Sequence, residues 1–191
     1  MRSANPRDYY HPQDQKALES LKQIPGFSTV MKAFMKMFNE NMIHGMNMSN
    51  KVRITEKQIP KLYQLLPPIC EKLGIEEPEF YLEMDPMANA YTFGDSIISI
   101  TVTSGLVDLM SDEEIKVVLA HECGHIACRH VLYHTMVQTV LSAGSTIPGM
   151  EILTTALQYA MFHWERCSEF SCDRAAAIYM EDPVPVARVM S

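Results

Sequence analysis

His121-Glu122-Cys123-Gly124-His125 is the stretch that most constrains this chain. Two histidines four residues apart on a helix lie about 40° apart in projection at 3.6 residues per turn. Both imidazoles can therefore reach one zinc ion from one face, the arrangement an H-E-x-x-H supplies. Glu122 is offset by about 100° from His121. It sits beside the ion rather than beneath it, where a carboxylate can take a proton from metal-activated water. Independent signals place the motif on a helix. Ser111-Asp-Glu-Glu114 is a capping box, and Ile115, Val118, Leu119 and Ile126 follow with helical spacing. The motif falls on a mostly buried helix.

Catalytic zinc sites usually take three protein ligands and keep a fourth position open. Glu169 and Asp173 lie one helical turn apart on a second predicted helix. Read alone, they would be a solvated pair, since carboxylates are mostly exposed. Beside an H-E-x-x-H, Glu169 is the expected third ligand. Asp173 is then placed to hold a ligand histidine by its other ring nitrogen. The expectation is one Zn²⁺ per chain, held by His121, His125 and Glu169.

Three blocks together resemble the HtpX-like and CAAX-prenyl-protease-like zinc metallopeptidases of the gluzincin group. They are Asn89-Ala-Tyr-Thr-Phe-Gly94; Ser104-Gly-Leu-Val107 through Glu114 and then Val118 to Ile126, followed by His130; and Arg166-x-x-Glu169-x-x-x-Asp173. The resemblance covers roughly residues 75–180. Cys123 and Cys172 stand where the family often has other apolar residues; both read as packing positions. The resemblance implies an α+β, mainly α, zincin-like metallopeptidase domain with a small mixed sheet and two long active-site helices. It also implies hydrolysis of internal peptide bonds in unfolded or misfolded proteins, with Glu122 as the general base. A second electrophile is expected, and His130, Arg166 and Arg174 are candidates, each equally readable as structural. Were Asn89, Ala90, Tyr91, Thr92 and Phe93 an edge strand at the cleft, substrate could dock there as an added strand. The competing reading is a non-catalytic or latent zinc-holding module that binds peptides, and a third is a membrane-tethered peptidase.

Charge narrows the partners. The net charge of −7 makes nucleic acid an unsuitable one. Residues 1–72 carry 11 Lys/Arg against 6 Asp/Glu, and the remainder 5 against 17. A basic arm on an acidic body can meet an anionic membrane or its own body, and the second is favoured. Five cysteines, an odd number, and a polar opening stretch point to free thiols and a cytoplasmic location. Residues 130–150 carry no formal charge but hold His130, His134, Gln138 and Pro148-Gly149, too polar for a favoured membrane span.

Along the chain, residues 1–54 read as a helical extension and 55–191 as the metallopeptidase domain. Residues 1–13 are expected to be loose or to pack late, and 14–24 to form a short helix. Ser28 is read as capping a helix with Val30, Met31, Phe34, Met35, Phe38 and Met42 on one stripe. Residues 55–73 read as a helix interrupted at Pro67-Pro68 and closed by Gly74. Strands are expected at 80–82, 90–93 and 97–102, the last two joined at Gly94-Asp95. One helix should run to about residue 141 and another from about 151 to 180. The chain stops inside what reads as a further helix, as a shortened domain would.

Overall fold

The computed structural model describes residues 6–37, 39–143 and 155–190. Four helices come first: α1 (Pro6–Tyr9), α2 (Pro12–Gln23), α3 (Phe27–Met37) and α4 (Glu40–Asn50). Then come β1 (Val52–Arg53), α5 (Pro60–Tyr63), α6 (Pro67–Leu73) and β2 (Glu79–Glu83). A hairpin of β3 (Ala90–Phe93) and β4 (Ser99–Thr103) leads into α7 (Ser104–Leu109) and α8 (Asp112–Ala127). The chain continues through α9 (Val131–Ala143), α10 (Thr155–Met180) and α11 (Pro183–Val189). The class is α+β and mainly α, with a small mixed sheet.

The sheet order is β1-β2-β4-β3. β2 and β4 are parallel, and the outer strands run antiparallel to them. All five residues of β4 are buried, as befits the central strand. β3 pairs with β4 alone, so it is an edge strand. Helix α8 packs on this sheet. Ser111 accepts the Glu114 N–H, and the Glu114 carboxylate accepts the Ser111 N–H at 2.9 Å, so the capping box forms. Asp112, Glu113 and Glu114 in the first turn favour the positive end of the helix dipole.

α10 crosses α8 at Gly124. A Cβ there would lie 2.9 Å from Cys172 Cα and 3.1 Å from Ala175 Cβ. Only glycine lets the two helices approach so closely. Two apolar clusters result. One joins α6, the sheet and α8 around Leu66, Ile69, Phe80, Ile100 and Leu119. The other joins α2, α3, α9 and α10 around Leu21, Phe34, Met136 and Trp164.

Several elements differ from expectation. Two residues of the opening segment are tied to the body: Tyr9 is fully buried, and Tyr10 donates to the Cys128 carbonyl at 3.3 Å. Ser28 lies inside the first turn of α3 rather than capping it. Val30 and Phe34 are buried as the stripe requires, while Met35 is exposed. Phe38 lies outside the described residues, and α4 forms a separate helix beyond it. Residues 55–59 are not helical, because Ile59 takes a left-handed conformation (φ 59°) before Pro60. Gly74, also left-handed (φ 71°), closes α6 as expected. The connection between β3 and β4 takes residues 94–98 rather than a two-residue turn. The loop expected around Pro148-Gly149 lies outside the described residues. Among the described residues no helix is long and apolar enough to cross a membrane. All five cysteines are buried and unpaired.

Candidate metal centre

His121 and His125 project from α8 toward Glu169 on α10. His121 Nε2 lies 2.9 Å from Glu169 Oε2, and His125 Nε2 lies 3.5 Å from Glu169 Oε1. The two imidazole centres are 5.2 Å apart. Asp173, one turn beyond Glu169, accepts from His121 Nδ1 at 3.0 Å. That bond fixes the ring and leaves Nε2 facing Glu169. Both histidines are buried, whereas the Glu169 side chain is 40% exposed, so the group opens to solvent on one side.

The donor set suits a divalent ion. Zinc bonds of about 2.0–2.2 Å in tetrahedral array put donor atoms roughly 3.3 Å apart. The two separations found here, 2.9 and 3.5 Å, fall either side of that. Burial alone would lower the pKa of His121, but its hydrogen bonds to Asp173 and Glu169 outweigh it and push the value up to about 10. The pKa of His125 is lowered well below the ordinary imidazole value, first by burial and then by His134 and His121. Its lone pair is thus available near neutral pH.

Glu122 follows His121 and is 8% exposed. Thr92, on β3, donates to Glu122 Oε2 at 2.6 Å. Burial raises the pKa of Glu122, while His121 and the Thr92 bond act against the rise. Alternation along β3 turns Tyr91 the other way. Its hydroxyl accepts from Lys51 Nζ at 2.8 Å and donates to Glu83 at 2.7 Å. A cleft of about 580 Å³ opens over these groups, with Asn89 to Phe93 along one wall and His121, Glu122, His125 and Glu169 lining it.

The model of peptidase family M48 matches residues 56–191. The chain belongs to peptidase family M48. It is 32% identical over 186 residues to the plastoglobule-localized metallopeptidase 48 of Arabidopsis thaliana, covering 96% of this chain and 54% of that protein. It is 22% identical over 192 residues to a protease HtpX homolog of Ralstonia nicotianae, covering 86% of this chain and 65% of the relative. The chain thus spans between half and two thirds of the length of these relatives. No solved structure matches it. A metallopeptidase family implies a metal cofactor.

The structure separates the residues considered as second electrophiles. His130 is fully buried, with Nε2 2.8 Å from the buried Asp14 of α2, so it faces the core and not the cleft. The expectation for His130 fails on burial. Arg174 is exposed and lies outside the cleft wall, whereas Arg166 lines it. Cys172 lies within 4.8 Å of ring nitrogens of both motif histidines. It is fully buried, and burial raises its thiol pKa well above the ordinary value, so it stays a packed thiol.

His134 was not singled out from sequence, yet it lines the cleft on α9. Its Nε2 is 4.0 Å from Glu169 Oε1, and its ring centre is 4.4 Å from that of His125. Burial drives its pKa down to about 4, with Glu169 pulling the other way. Its spacing of nine from His125 is the only sequence signal, and it points to nothing without the fold.

Proposed function

We propose that this protein is a zinc-dependent endopeptidase that cleaves internal peptide bonds of extended, unfolded chains. One observation carries the reading: both motif histidines meet the two oxygens of Glu169 beside a buried carboxylate, Glu122. His121, His125 and Glu169 would hold the ion, and Asp173 would orient His121. When bound, the ion lowers the pKa of water to about 7 and polarises the scissile carbonyl.

Glu122 takes the proton as water attacks the carbonyl carbon, then delivers it to the leaving nitrogen. Burial suits it to this work, because it raises the carboxyl pKa toward the working pH. Thr92 occupies Oε2, which leaves Oε1 for the incoming water.

Substrate would add to β3, whose only strand neighbour among the described residues is β4. Main-chain pairing of this kind reads backbone more than side chains. It requires a substrate segment free of its own structure, which supports unfolded polypeptides as the class cleaved. The unpaired, buried cysteines support work in a reducing compartment. A module that only binds peptides would have no need of Glu122.

The test is cleavage of unfolded casein by zinc-loaded protein, its loss with a chelator, and the Glu122→Gln variant. We expect Glu122→Gln to retain zinc and to lose cleavage. Full cleavage by that variant would remove Glu122 from the role of base and sink the mechanism.

A further inference from the structure

The pairing of β3 with β4 decides which main-chain groups of β3 remain for a bound chain. The Thr103 N–H donates to the Asn89 carbonyl oxygen at 3.0 Å, one step before the Ala90–Val102 pair of the register. Bonded and unbonded pairs alternate along an antiparallel ladder. Tyr91 and Phe93 therefore bond to Thr101 and Ser99. The far side of β4 agrees. The Glu79 N–H donates to the Ile98 carbonyl oxygen at 2.9 Å, so the even-numbered residues of β4 serve β2. Ala90, Thr92 and Gly94 consequently turn their N–H and C=O groups outward, to the free edge.

Gly94 differs from the other two. Its N–H donates to Oγ1 of Thr135 on α9 at 3.2 Å, and the same hydroxyl donates to the Gly94 carbonyl oxygen at 3.3 Å. One hydroxyl thus does for Gly94 what a paired strand residue would do, accepting from the N–H and donating to the C=O. Thr135 is buried, so water does not compete for it. The outward main-chain groups of Ala90 and Thr92 have no partner among the described residues, and both residues line the cleft. They stand about 6.8 Å apart along the strand. Thr92 also holds Glu122 through its side chain, so a chain paired with Thr92 is registered against that carboxylate.

We propose that Thr135 is a specificity-determining residue: it caps the free edge at Gly94, so a bound polypeptide pairs with Ala90 and Thr92 and can pair no further in that direction. The proposal rests on the peptidase reading above. Thr135 makes no bond to substrate; it withholds one. A featureless unfolded chain could slide along a longer edge in two-residue steps without changing which of its faces meets the cleft. The cap removes the next step and makes register a property of the enzyme.

The experiment has two arms, both on the full chain loaded with zinc. The first measures amide hydrogen exchange in wild type with and without a saturating, blocked phosphinic peptide. The Ala90 and Thr92 amides should gain protection of about tenfold or more, and Gly94 less than about twofold, because its N–H is already bonded. Equal gains at Gly94 and Thr92, or bound peptide with no gain at Thr92, would overturn the proposal. The second arm measures kcat/KM on blocked peptides lengthened from either end around one scissile bond. In wild type the gain with length should level off at both ends. In Thr135→Ala the plateau at one end alone should move out by two residues, with a gain of about 2–10-fold for each main-chain bond added. Thr135→Ser, which keeps the hydroxyl, should keep the wild-type plateau. Identical plateaus in wild type and Thr135→Ala would also overturn the proposal. Should Thr135→Ala not fold, the exchange arm decides on wild type alone. A wild type that cleaves no peptide would sink the peptidase reading, while exchange would still report whether a bound chain stops short of Gly94.

Discussion

The hydroxyl of Thr92 donates a 2.6 Å hydrogen bond to Oε2 of Glu122, so an edge strand holds the carboxylate of the motif helix. A hydrogen bond to a carboxylate favours its charged form and lowers its pKa. Thr92→Val keeps the shape and removes the bond. The Glu122 pKa should rise, and the acid limb of the kcat/KM profile should move to higher pH. Zinc content should stay at wild-type level, and the rate at neutral pH should fall by roughly tenfold, as one lost hydrogen bond allows. An unmoved acid limb would show that Thr92 does not govern Glu122.

Metal uptake should be coupled to proton release. In the metal-free protein, Asp173 and Glu169 overcome the effect of burial on His121 and push its pKa up to about 10. Nε2 must give up that proton to act as a ligand. At pH 7.5 about one proton should therefore appear in unbuffered solution per zinc bound. Apparent affinity should rise with pH, by about tenfold per unit below the pKa. Asp173→Ala should lower the affinity by about 10–100-fold, the usual scale for losing a ligand's orienting partner. It should also release fewer protons, because the histidine pKa falls with its partner gone. Equal proton release by both proteins would contradict this account.

Gly124→Ala tests the helix crossing. The new methyl would meet Cys172 Cα at 2.9 Å, and backbone cannot yield as a flexible side chain can. Overpacking of this kind costs about 1–3 kcal/mol. Thermal unfolding should show a lower Tm. Because Cys172 and Glu169 share α10, zinc affinity should drop as well. A variant with wild-type Tm and affinity would mean that the crossing adjusts freely.

The helices that carry the centre were legible in the sequence because their signals are local. The capping box at Ser111, the one-turn spacing of His121 and His125, and that of Glu169 and Asp173 each lie within a few residues. The hairpin of β3 and β4 was legible for the same reason. What escaped depends on contacts between distant segments. Thr92 reaches Glu122 only because β3 lies against α8. His134 sits in an uncharged run that the sequence weighs only as a membrane span, and only the placement of α9 brings it near Glu169. Ser28 reads as a cap, yet α3 begins at Phe27. Ile59 carries no local sign of a left-handed backbone, so the helix drawn through it was too long.

Asp14 is fully buried; its Oδ2 lies 2.5 Å from Ser171 Oγ on α10 and 2.8 Å from Nε2 of His130, the residue that leads into α9. The family match begins at residue 56, but this carboxylate ties the preceding segment into the scaffold behind the metal donors. Removing residues 1–55 would strand His130 without its acidic neighbour and leave an unfilled socket against Ser171.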